Sequence, residues 1–194
     1  MPATLSAVQL NSYLAPLTRL YAKSGHAAPE VVFVDGEMLP EPYRHLLVHH
    51  SDMTPRLRSF HDSEMILEVQ LCVLDEPELI REVLLRRRDD NQAVEFGAIK
   101  IHLDRLPAAV AQLVREGQRP LGGILEAEQL RHQSAPRAYF QTKADTVTSV
   151  MFRTTLGQPL FGRCNVLARE NGAVFDEIVE ILPPADDSKN IVEA

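Results

Sequence analysis

Histidines 45, 49 and 50 are the first residues whose type and spacing could do chemistry. His45 and His49 lie four apart, which would set both imidazoles on one face of a helix, as a divalent cation site requires. No cysteine or carboxylate set nearby completes such a site, so surface or capping histidines and no metal are expected. Ser51 and Ser134 lack the Gly-x-Ser-x-Gly turn that exposes a nucleophile. Gly122-Gly123 stands without the rest of a phosphate-binding loop. Arg86-Arg87-Arg88 is the one dense basic run, and Asp89-Asp90 follow at once, the pattern of a solvated hairpin end. In Asp52-Met53-Thr54-Pro55, either Asp52 or Thr54 suits a helix cap and Pro55 suits the first turn.

The elements that must position such residues centre on Arg81 to Leu125. Arg81–Arg86 reads as a strand, Asp89-Asp90-Asn91 as a turn whose short side chains tolerate positive φ, and Val94–Leu103 as the return strand. Alternation sets Phe96, Ala98 and Lys100 on one face and Gly97, Ile99 and Ile101 on the other. A glycine inside a strand marks a bulge or a close approach to the backbone. Asp104 is expected to cap a helix with Ala108, Val110, Leu113 and Val114 as its apolar stripe, and Gly117 to stop it.

Upstream, residues 4–22 read as a helix with Leu5, Val8, Leu14, Leu17, Leu20 and Tyr21 at helical spacing, broken near Pro16. A connection through Val31-Val32-Phe33-Val34 leads to a short helix over Tyr43–His50. Residues 64–74 suit a strand that Pro77 ends. Downstream, Glu126–His132 suits a short helix broken by Ser134-Ala135-Pro136. Tyr139–Phe140, Thr146–Thr155, Leu160–Ala168 and Val174–Leu182 read as strands, and Asn171-Gly172 is a hairpin signal. Strands joined by hairpins with helices set apart predict an α+β fold, a single antiparallel β-sheet with flanking helices.

At 194 residues the chain is expected to form one domain over 1–194, with residues 1–42 as an N-terminal helix and connection and 185–194 as a frayed tail. Hydrophobic content of 45% and charged content of 24% exclude a disordered chain or a fibre. A net charge of −7 argues against a nucleic-acid partner. No apolar run reaches the ~20 residues that cross a bilayer, and the N-terminus has no secretory pattern. Cys72 and Cys164 sit in strand-like segments without ligand spacing, so buried free thiols in the cytoplasm are expected. Whether the chain is a monomer or a small homo-oligomer is open. Spacing alone thus yields an α+β domain with an unassigned pocket.

Four segments in order resemble the chorismate pyruvate-lyase (4-hydroxybenzoate synthase) family, over about residues 43–184. They are Asp52-Met53-Thr54 with Arg56-Leu57, Arg81-Glu82-Val83-Leu84-Leu85, Pro120-Leu121-Gly122, and Gly162-Arg163 returning to Glu180-Ile181-Leu182-Pro183. The match is closer to the longer bacterial branch, which carries DMTxxLxxFH, PVEFGAIxI and PLGxIL; His61 falls in its first motif, where a structural role is expected. The short enzymes have an arginine after the strand glycine, where this chain has Ala98, and residues 1–42 have no counterpart. The last hairpin is one residue longer, so Glu177 competes with Glu180 for the acidic position, with the Ile-Leu-Pro context favouring Glu180.

The resemblance implies an enzyme that splits chorismate into 4-hydroxybenzoate and pyruvate without cofactor or metal. It implies that Arg81 binds the ring carboxylate and that Glu180 serves the hydroxyl end and assists loss of the ring proton. It implies further that Met53 and Leu121 wall the ring, and that Thr54 and Gly122 complete the substrate-binding set. From spacing alone Arg81 could instead make a strand-edge ion pair with Glu82 or Glu95, Glu180 could be exposed, and Met53 and Leu121 could be core residues. Other readings are a related lyase giving 3-hydroxybenzoate, or a non-catalytic sensor of small aromatic acids, since similar folds serve transcription regulators. A regulator would carry a DNA-binding helix pair, for which residues 1–42 are short and weakly basic.

Overall fold

A computed structural model describes residues 7–185. In chain order the elements are α1 (Ala7–Tyr13), α2 (Ala15–Lys23), β1 (Val31–Val34), α3 (Tyr43–Leu47), α4 (Met53–His61), β2 (Met65–Asp75), β3 (Glu78–Arg87) and β4 (Ala93–His102). There follow α5 (Ala108–Glu116), α6 (Leu121–Ala127), β5 (Gln133–Lys143), α7 (Thr146–Phe152), β6 (Pro159–Ala168) and β7 (Val174–Leu182). The seven strands form one antiparallel sheet in the order β1-β5-β6-β7-β4-β3-β2. The fold is therefore α+β with flanking helices.

Strand alternation sends two sets of side chains to opposite faces. On one face Ile80, Leu84, Phe96, Ala98, Val179 and Ile181 pack beneath α2 and α7. On the other, Leu79, Val83, Ile99, Ile101, Leu167 and Ile178 pack beneath α5 and α6, while Leu85 and Leu182 meet α3 and α4. The helices on this second face leave an opening over the middle of the sheet.

The structure departs from the sequence pattern at several places, each with a local cause. Thr146–Phe152, expected as strand from its β-branched residues, is helix α7. Asp145 accepts from the amides of Val147 (3.0 Å) and Thr148 (2.8 Å), and Thr148 answers through the Asp145 amide. This capping box outweighs β-propensity. Asp145→Ala is expected to cost about 1 kcal/mol of stability in chemical denaturation, the typical worth of an N-cap.

Ser134-Ala135-Pro136 lies within β5 instead of breaking a helix, and Pro136 sits at a register shift toward Ala138, where a missing amide is tolerated. The helix expected over Glu126–His132 runs instead over Leu121–Ala127. Asp104 caps nothing: it lies in a 3-10 turn, and α5 starts after Pro107. Val31–Val34 is the edge strand β1 rather than part of a connection. Cys164 is buried, but Cys72, expected to be buried, is exposed. Val8 is also exposed; Leu5 lies outside the described residues, as does the expected frayed tail beyond Ala185.

Other expectations hold. The first helix divides at Leu14, so that Pro16 falls in the opening turn of α2. Asn91 takes φ 61° in the β3–β4 turn, and Gly117 ends α5 at φ 64°.

Candidate functional site

The register of the central strands lays out the site before any helix is considered. Arg81, Ile99, Ile178 and Asn165 form one row across β3, β4, β7 and β6. Val83, Gly97, Glu180 and Arg163 form the next row to one side, and Leu79, Ile101, Asp176 and Leu167 the next to the other. Gly97 keeps the floor low between Val83 and Glu180, since a Cβ there would come within 2.9 Å of the Val83 methyl. The starts of α4 and α6 form the roof. They meet at Gly122, where a Cβ would be in ordinary contact with the Thr54 hydroxyl at 3.4 Å.

Between floor and roof lies a small cavity of about 50 Å³, partly continuous with solvent. Met53, Thr54, Arg81, Leu121, Gly122 and Glu180, the six residues singled out in the sequence, all line it. Glu177 does not. It faces the other way, paired with Lys100 and His102 (3.0 Å). Nor is Arg81 a strand-edge residue: β3 lies between β2 and β4, and no ion pair joins Arg81 to Glu82 or Glu95.

Arg81 is 1% exposed, and none of its three guanidinium nitrogens has a hydrogen-bond partner among the described residues. Burial pushes its pKa down, with the carboxyl of Asp176 pulling the other way. A guanidinium in that condition is an open fork for a planar, bidentate anion. Within the protein its burial is offset only by the nearby Asp176 carboxyl, with no hydrogen bond to it.

Glu180 is also buried, gripped by the Arg163 Nε, and the Arg163 NH2 group lies 3.5 Å from its other oxygen. Arg163, fully buried, donates as well to the carbonyls of Leu47 (3.1 Å) and His49 (3.2 Å). Beside this pair the Glu95 carboxyl is held well above its ordinary range, first by burial and then by the charge of Glu180. Asp176, entirely buried with both oxygens unpartnered, is raised well above its range by burial, against the pull of Arg81.

Sequence reasoning missed Glu95, Arg163, Asn165 and Asp176 as members of this constellation. A partial signal was present on β7, where Asp176 stands four residues before Glu180 and therefore on the same face, with Glu177 on the other.

At the rim, Asp52 occupies the N-cap position of α4 without capping it. Its carboxylate takes instead a hydrogen bond from His132, whose Nε2 lies 3.0 Å from each oxygen. That bond raises the His132 pKa, outweighing its burial. A folded-state pKa above the unfolded value of about 6.5 gives stability that is complete below about pH 6.5 and lost as pH climbs through the folded value. The thermal midpoint of the native chain should therefore exceed that of His132→Gln near pH 6, and the gap should shrink by about pH 9. Scanning calorimetry across that range checks it.

A second cavity, of about 170 Å³, lies elsewhere and is walled by Tyr43, Leu46, Phe60, Val94, Leu182 and Pro183. Among the described residues no group of histidines, cysteines and carboxylates is placed to hold a metal ion, and no helix is long and apolar enough to cross a membrane.

The same fold occurs in several solved structures. PhnF from Mycobacterium smegmatis matches with a TM-score of 0.52 and 13% identity over 71% of this chain and 65% of that one. This chain thus spans just under two thirds of PhnF. The effector domain of PhnF gives 0.52 and 13% over 69% and 88% of the two chains. A possible transcriptional regulator, YydK from Bacillus subtilis, gives 0.51 and 12% over 92% and 94%. No family model and no curated protein matches the sequence. At such identities the likeness shows the fold alone.

Proposed function

We propose that the cavity binds a planar aromatic acid of the hydroxybenzoate class, carboxylate on Arg81 and hydroxyl toward Glu180, and that the chain produces this acid by eliminating pyruvate from chorismate. The observation that carries the reading is the buried, unpartnered guanidinium of Arg81 in an otherwise mainly apolar cavity. Opposite charge and planarity make a ring carboxylate its natural occupant. The four sequence segments that resemble chorismate lyases contribute every one of the residues first singled out around it.

The chemistry follows from the far end of the cavity. The proton on the hydroxyl-bearing ring carbon leaves, the neighbouring ether bond breaks, and aromatisation supplies the driving force; no electrons are gained or lost overall. Glu180, fixed in direction by Arg163, is the base positioned for that proton. Burial and the charge of Glu180 hold the Glu95 carboxyl above its ordinary range, which favours its neutral form and lessens the negative charge at the same end. The cover of α4 and α6 limits the access of water to the reacting ether.

A second reading, a non-catalytic sensor of the same class of acid, is supported by the likeness to the PhnF effector domain. Incubation of the purified protein with chorismate, with aromatic products and pyruvate separated by chromatography, tests both. The lyase reading expects equal amounts of 4-hydroxybenzoate and pyruvate, at a rate reduced by about 10²–10⁴ in Glu180→Gln. Formation of 3-hydroxybenzoate would keep the pocket and change the regiochemistry. No turnover, with 4-hydroxybenzoate still bound, would leave the sensor; neither turnover nor binding would remove both.

A further inference from the structure

Most polar side chains around the cavity are already engaged. Glu180 is held by Arg163, Asn165 donates to the Ser134 hydroxyl at 3.0 Å, and Asp52 is taken by His132. Arg81, Asp176 and one oxygen of Glu95 are left, among the described residues, with buried atoms that bond to nothing. The proposed ligand carboxylate answers Arg81, but nothing in a monohydroxylated ring answers Asp176.

The register says where Asp176 stands relative to such a ring. Arg81 and Ile178 share a row, and Asp176 and Glu180 lie two residues to either side of Ile178 on β7. A ring with its carboxylate on Arg81 and its far end leaning toward Glu180 turns one edge toward Asp176. Both carboxyls belong to the cavity wall and both are almost wholly buried.

We propose that Asp176 is a second polar anchor of this cavity, so that its preferred ligand is a ring acid with hydrogen-bonding substituents on two positions, one meeting Glu180 and the other meeting Asp176. The inference rests on the reading that Arg81 holds a ring carboxylate. It narrows the ligand class from monohydroxylated acids to acids bearing a further hydroxyl, amino or ether group next to the first. On the lyase reading, that second position carries the departing enolpyruvyl ether, which places Asp176 on the leaving-group side of the ring. A buried carboxyl without a partner is costly, and a donor or acceptor from the ligand relieves the cost.

Titration calorimetry with 4-hydroxybenzoate and 3,4-dihydroxybenzoate decides it. The unaltered protein is expected to bind the dihydroxy acid about tenfold more tightly or better, the gain of one hydrogen bond to a charged or polarised group. Asp176→Leu, similar in volume and free of the unsatisfied carboxyl, is expected to abolish that preference, bringing the ratio of the two affinities to about one. Asp176→Asn, which keeps a donor and an acceptor, should retain part of the preference. No preference in the unaltered protein, or one that survives Asp176→Leu, overturns the proposal. If neither acid binds, or if Arg81→Met leaves 4-hydroxybenzoate affinity unchanged, the reading of Arg81 fails and this inference with it.

Discussion

Arg81→Met should leave the empty protein more stable, by about 1–3 kcal/mol, and at the same time unable to hold an aromatic carboxylate. The two effects have one cause. The guanidinium is buried without a hydrogen-bond partner in the protein, so a flexible apolar side chain of similar length fills the space at lower cost. Once a carboxylate is bound the balance reverses, because truncating one side of a buried charge pair costs about 2–5 kcal/mol. Urea denaturation and calorimetric titration with 4-hydroxybenzoate read the two effects separately. Loss of stability with affinity unchanged would mean that Arg81 is a structural residue.

Arg163→Ala should act in the opposite sense and destabilise the fold by about 3–5 kcal/mol. Arg163 is fully buried and joins β6 to β7 through Glu180, and to the chain leaving α3 through the Leu47 and His49 carbonyls. Its removal strands the Glu180 carboxylate beside Glu95 in a dry setting and frees two carbonyls. It also relieves His49, whose pKa is pushed down to about 4 by burial and then by the Arg163 charge. The double change Arg163→Met with Glu180→Gln should recover much of the loss, because no uncompensated charge remains. Equal destabilisation in the single and double variants would show that the carbonyl contacts, and not the ion pair, carry the effect.

The sheet was legible because its strands carry period-two patterns bounded by turn residues. Asn91 and Gly172 both adopt the positive φ that their turns demand. Helix α7 was misread because its residues favour strand and its capping box lies partly in Asp145, one position before the apolar run. β5 was cut short because a proline normally ends a strand; here a bulge absorbs it.

The site was legible only in part. Arg81, Glu180, Met53, Thr54, Leu121 and Gly122 came from resemblance, and the structure brings them to one cavity. Glu95 and Asp176 could not be read from strand alternation alone. A charged residue on one face of a strand is an ordinary solvated residue unless helices cover that face. The covering here depends on α4 and α6, whose close approach at Thr54 and Gly122 is a tertiary fact.

The most direct test of the account is a crystal structure of the protein with 4-hydroxybenzoate. It should show the ligand carboxylate within hydrogen-bond distance of the Arg81 guanidinium, its ring between Met53 and Leu121, and its hydroxyl toward Glu180. A ligand seated in the cavity walled by Tyr43 and Phe60, or one whose carboxylate avoids Arg81, would contradict it.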